Sequence, residues 1–101
     1  PASPAEREIN ALLSIVASSD CTFIRNGDAH DAAAASAHMQ KKYRYFATEV
    51  VTAEDFIRTS ATKSLLSGES YRVQCPGQQE ALTANWLGEA LQRLRQQAGN
   101  D

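Results

Sequence analysis

A mainly helical fold is what this chain predicts: a compact single domain of four helices with a small two-stranded antiparallel β element. Three observations carry that expectation. Apolar residues recur at helical spacing in several segments, and two of these open on a capping box of the Ser-x-x-Glu kind. Two short stretches, residues 21–25 and 71–75, alternate instead, and each holds one of the two cysteines. A chain of 101 residues has material for one modest core and not for a second.

The first helix opens at Ser3, with Pro4 at its first position and Glu6 completing the box. Ile9, Leu12, Leu13 and Val16 then draw one apolar stripe, the pattern of a core face. Ser18, Ser19 and Asp20 break it. The first strand, residues 21–25, sets Cys21, Phe23 and Arg25 on one side and Thr22 and Ile24 on the other, and Asn26-Gly27 ends it because this pair favours positive φ.

Asp28 is expected to cap a long alanine-rich helix over residues 28–46. One face holds Ala32, Ala35, Met39, Tyr43 and Phe46, and the neighbouring face holds His38, Lys42 and Tyr45. Thr52 and Asp55 form a second capping box, and the helix they start buries Phe56, Ile57 and Ala61 before the run SLLSG stops it, with Gly68 as breaker. The second strand alternates Tyr71, Val73 and Cys75 with Arg72 and Gln74 before Pro76-Gly77 turns the chain. A last helix runs from residue 82 or 83 to 97 with Leu82, Trp86, Leu87, Ala90, Leu91 and Leu94 inward. Residues 1–3 and 98–101, the latter ending in GND, are expected to fray.

Ten basic residues against twelve acidic give a net charge of −2, so no global field draws the chain to nucleic acid or to an anionic membrane. No apolar run approaches the roughly 20 residues of a membrane span. The start PASPAERE lacks an initiator methionine, as an exported protein cleaved from its signal would, or a trimmed boundary. Cys21 and Cys75 have no CxxC spacing, and with only His30 and His38 as further soft ligands neither a metal nor a cofactor is expected. In an oxidising compartment the two cysteines are expected to form a disulfide. Antiparallel pairing with Cys21 opposite Cys75 sets Phe23 against Val73 and Arg25 against Tyr71, so the apolar sets coincide, whether the bond spans paired positions or leaves from a strand end.

The blocks CTFIRNG, AxxAHMxKKY, TAEDFI, SLLSGESYRV and WLGEAL occur in order over residues 9–94. In these the chain resembles the YfeK-like family of small exported bacterial proteins, which bears a domain-of-unknown-function label. The resemblance implies a signal segment outside this sequence, a periplasmic location and therefore an oxidised Cys21–Cys75 pair, and it implies no known activity. Its matching polar positions include Arg25, Asn26, His38, Lys42, Ser64, Ser67 and Tyr71. Where that family carries a tyrosine shortly after the glycine, this chain has His30.

Several residues invite chemistry. Ser60 and Lys63 spell S-x-x-K, but in a chain too short for penicillin-binding enzymes and without their other motifs this reads as a solvated helix end. Ser64 or Ser67 with His38 could make a nucleophile and base, although serines before a glycine serve turns more simply. His30 and His38 stand about two helical turns apart, too far to ligate together. Arg25 and Asn26 are the best candidates, since a guanidinium beside a helix N-terminus can hold a carboxylate or phosphate. The structural alternative pairs Arg25 with Glu69 or Glu54. Tyr43, Tyr45 and Trp86 read as core, and the basic residues Lys41, Lys42, Arg44, Arg93 and Arg95 as solvated faces.

The functional expectation is a non-enzymatic binding or interaction module in the bacterial envelope, for an unknown protein partner or a small anionic ligand. Its contact region is formed by Arg25, Asn26, His38, Lys42, Ser64, Ser67 and Tyr71. An immunity or inhibitor protein against a toxin or wall hydrolase is the first rival, and a small serine-dependent hydrolase the second.

Overall fold

The computed structural model describes residues 2–99; Pro1, Asn100 and Asp101, and with them the end of the GND tail, lie outside the described residues. Helix α1 (Pro4–Ser18) is closed by the expected capping box, Ser3 Oγ accepting from the Glu6 N–H at 3.1 Å and Glu6 Oε1 from the Ser3 N–H at 3.2 Å. Its stripe of Ile9, Leu12, Leu13 and Val16 is buried to the last residue. Each such side chain contributes roughly 1.5–3 kcal/mol by leaving water.

Strand β1 (Thr22–Arg25) runs into a two-residue turn at Asn26 and Gly27, whose φ values of 53° and 80° are both positive. That turn matches the twist of an antiparallel pair. The chain therefore folds back as β2 (Asp28–His30), with Arg25 opposite Asp28 and Phe23 opposite His30. Residues 28–30 are accordingly strand and not the start of the long helix. The cap of α2 (Ala32–Tyr45) is Asp31, which accepts from the Ala34 N–H at 2.8 Å. Ala35, Ser36, Met39 and Lys42 form the buried face of α2, while Tyr45 is 77% exposed and so is not core.

After a short 3₁₀ turn (Ala47–Glu49), Thr52 and Asp55 box the start of α3 (Ala53–Ser60), which buries Ala53, Phe56, Ile57 and Ser60. This helix ends before Ala61 because the Thr62 hydroxyl donates to the Ile57 carbonyl at 2.7 Å and closes the last turn. The run SLLSG thus lies in a loop, residues 61–71, pinched by a bridge between Lys63 and Ser70. Ser60 is fully buried at the end of α3 and Lys63 lies beyond it, so the S-x-x-K spelling is neither a shared helical turn nor a solvated end.

Strand β3 (Arg72–Gln74) pairs with β1 in the anticipated register, Phe23 against Val73 and Thr22 against Gln74. A further short strand, β4 (Ala81–Leu82), adds to β3. The antiparallel element therefore has four strands in the order β2-β1-β3-β4, two more than the alternation alone announces. Cys21 and Cys75 flank the central pair and are joined, with Cα atoms 4.1 Å apart. The closing helix α4 (Thr83–Gly99) runs two residues past the end of the sequence pattern and buries Leu87, Ala90 and Leu91.

Helices α1, α3 and α4 pack together, with α2 laid along α1 and α3. Phe56 sits in the middle with Ile9, Leu12, Val16, Val73 and Leu87, all essentially fully buried. Trp86 meets Phe23 edge to face at 5.7 Å, and Tyr43 meets Phe56 likewise at 5.6 Å. On the outside, the Arg95 fork from α4 holds Glu8 of α1 and Glu54 of α3, with contacts from 2.7 to 3.1 Å. Arg95 draws both carboxyls below their ordinary range and its own pKa is raised in turn.

Candidate functional site

Three segments meet at one side of the sheet: the β1–β2 turn, the flank of α2 that carries His38 and Lys42, and the 61–71 loop. They enclose a groove of about 410 Å³ lined by Arg25, Asn26, Asp28, His38, Lys42, Ser64, Leu65, Leu66 and Tyr71. Six of the seven polar residues that the sequence singles out thus converge on it. The seventh, Ser67, stands at its rim and donates a short hydrogen bond to Asn26 Oδ1.

Asn26 is the clasp of the site. Its left-handed backbone conformation is one that asparagine tolerates better than most residues. The amide thus faces the 61–71 loop, where Nδ2 donates to Ser64 Oγ at 3.2 Å. Ser64 Oγ in turn accepts from the backbone N–H groups of Leu66 at 3.3 Å and Ser67 at 3.4 Å. Ser67 Oγ accepts from the Glu69 N–H at 3.1 Å. Both serines are spent on turn geometry, and among the described residues neither hydrogen-bonds to His38.

Lys42 is the unusual member. The residue is only 8% exposed, and its Nζ donates to the Lys63 carbonyl at 2.9 Å and to Tyr71 Oη at 3.1 Å. Both acceptors are neutral, whereas buried ammonium groups are as a rule paired with a carboxylate. One of the three ammonium protons has no acceptor among these contacts. Burial, and secondarily Arg25, lower the Lys42 pKa.

Tyr71 Oη accepts from Lys42 and also lies 3.4 Å from His38 Nε2. Burial is the main cause that lowers His38 to about 4, and the charges of Arg25, Lys42, His30 and Lys41 act in the same direction. Tyr71 is pushed up by burial, with Arg25 opposing. Among the described residues, the hydrogen-bond partner of the His38 ring is thus Tyr71.

Arg25 has neither an ion pair nor a side-chain hydrogen bond among the described residues. Glu54, one of its two anticipated partners, is held by Arg95, and Glu69 does not reach it. Behind Arg25, His38 and Tyr71 lies a small cavity of about 30 Å³, walled mainly by Phe23, Ile24, Ala34, Ala35 and Met39. His30 is half-buried in its wall, and Thr83, whose buried hydroxyl has no protein partner, closes it from α4. Sequence reasoning gave no place to Thr83, Leu65 or Leu66 in the site. No local signal marks them, since each is assigned to the groove or cavity by tertiary packing alone. No group of three or more His, Cys, Asp or Glu that could hold a metal is present among the described residues.

The depressed His38 pKa has a thermodynamic consequence. The unfolded chain takes up a proton near pH 6.5 and the folded one only near 4, so stability falls as pH drops between those values. The depressed carboxyls of Glu8, Glu54 and Asp55 act lower, below their ordinary values of 4.5 and 3.8, which leaves the range from 6.5 to 5 to His38. Urea unfolding is expected to show this slope in the wild type and to lose it in His38→Gln.

Over residues 3–95 the chain matches a protein family described as a family of unknown function, DUF5329. It is also 40% identical over 67 residues to a Salmonella typhimurium protein described as "Uncharacterized protein YfeK". That match covers 65% of this chain and 56% of the relative, so it spans little more than half of the relative's length. No solved structure matches the chain.

Proposed function

The chain belongs to the DUF5329 family of unknown function, and from that premise we propose that it is a non-enzymatic binding module whose groove holds an anionic group of a ligand or partner. One observation carries the reading: a buried ammonium with only neutral acceptors, Lys42, stands beside a guanidinium with no carboxylate, Arg25. The third ammonium proton of Lys42 and the guanidinium N–H groups of Arg25 are hydrogen-bond donors without acceptors among the described residues. An arriving anion would complete both.

We further propose that the protein works in an oxidising envelope compartment, such as the periplasm. The buried disulfide supports this, since such bonds persist mainly outside the reducing cytosol. No helix among the described residues is long and apolar enough to cross a membrane.

The test is calorimetric titration with inorganic phosphate and with acetate, followed in parallel by amide chemical shifts. Wild-type protein is expected to bind at least one of them, with shifts confined to the β1–β2 turn, α2 and the 61–71 loop. Arg25→Gln and Lys42→Met should each weaken binding tenfold or more. Lys42→Met also leaves the Lys63 carbonyl and Tyr71 Oη without their donor, so its stability is measured by urea unfolding beside the titration, and Arg25→Gln carries the test if it does not fold. Wild-type protein that shows no shift with either anion would refute the reading.

A further inference from the structure

We infer that the anion held in this groove is the free C-terminal carboxylate of a polypeptide that ends in an apolar residue; the inference rests on the anion-binding reading above. Charge sets the first limit. Asp28 lines the same groove as Arg25 and Lys42, so the excess positive charge suits a monoanion better than a phosphate dianion. The planar fork of Arg25 fits the two oxygens of a carboxylate.

The second limit comes from Leu65 and Leu66, which line the groove yet are 65% and 98% exposed. Their exposure is not the by-product of a slack segment. The backbone around them is pinned by Gly68 N–H to the Ser64 carbonyl at 2.9 Å, Ser64 N–H to the Glu69 carbonyl at 3.0 Å, and the Asn26 clasp. The pinned backbone thus presents two leucines beside the cationic groups of Arg25 and Lys42. An apolar side chain next to a carboxylate satisfies both features, and a chain terminus places the two on one residue.

The third limit separates a peptide from a fatty acid. Asn26 and Asp28 also line the groove, and they offer the backbone amides of a peptide polar partners that an alkyl tail cannot use.

The decisive titration uses five probes: an acetylated tripeptide ending in leucine with a free carboxylate, the same peptide amidated, a glycine-ended version, octanoate and inorganic phosphate. The leucine-ended acid is expected to bind at least tenfold tighter than each of the other four. Leu66→Ser, a change at a solvent-exposed position, should lower affinity for that peptide about fivefold, towards that of the glycine-ended version. Equal binding of acid and amide, or of leucine-ended and glycine-ended peptides, would overturn the inference. So would octanoate or phosphate matching or exceeding the peptide, and either result would still leave an anion site in place. Failure of every probe, with acetate and phosphate also silent, would remove the anion-binding reading itself.

Discussion

Reduction of the Cys21–Cys75 bond is expected to lower the unfolding free energy by about 4 kcal/mol, from the chain entropy released when a loop of this length is opened. The two cysteines are 54 residues apart in sequence, and nearly all of the β sheet, helices α2 and α3 and the whole groove lie between them. For a domain whose total stability is typically about 5–15 kcal/mol, that is a large share. Urea unfolding with and without reductant, and of a Cys21→Ala/Cys75→Ala double variant, would measure it. Both should shift the midpoint downward together. Coincident midpoints in all three samples would show that the paired strands hold the ends of the loop without the bond.

Truncating Phe56 to alanine is expected to cost about 3–5 kcal/mol, the range for emptying a large buried aromatic site. Phe56 is fully enclosed on α3, and it meets the Tyr43 ring from α2 edge to face. It therefore touches the helix that supplies Lys42 and His38, so Phe56→Ala should also weaken anion binding although it lies outside the groove. Phe56→Leu, which refills most of the volume, should recover more than half of the lost stability. A loss below about 1 kcal/mol in Phe56→Ala would mean that the neighbouring helices close over the space.

Much of this architecture is readable from local chemistry. Capping boxes at Ser3 and Thr52 place two helix starts, because the side-chain partners lie within three residues of each other. The register of β1 against β3 follows from where each strand puts its cysteine and its bulky side chain. What escaped depends on distant partners. Strand β2 has the sequence Asp28, Ala29 and His30, with no strand-forming residue, and exists because the turn before it returns the chain to β1. Likewise α3 stops at Ser60 through a threonine bond to Ile57, and the leucines that follow look like a continuing helix in sequence alone. In the site, Arg25 was legible as a residue without a structural task. The burial of Lys42 was not, since its polar acceptors come from Lys63 and Tyr71, over twenty positions away.

The clasp made by Asn26 bears on how fast a partner can come and go. A loop already fastened to the hairpin has little conformational freedom left to lose on contact, so association needs no slow ordering step. Substitutions in the leucine pair should then alter residence time more than the rate of encounter. Asn26→Gly keeps the turn but unfastens the loop, and it should slow association by making each successful collision wait for the leucines to fall into place.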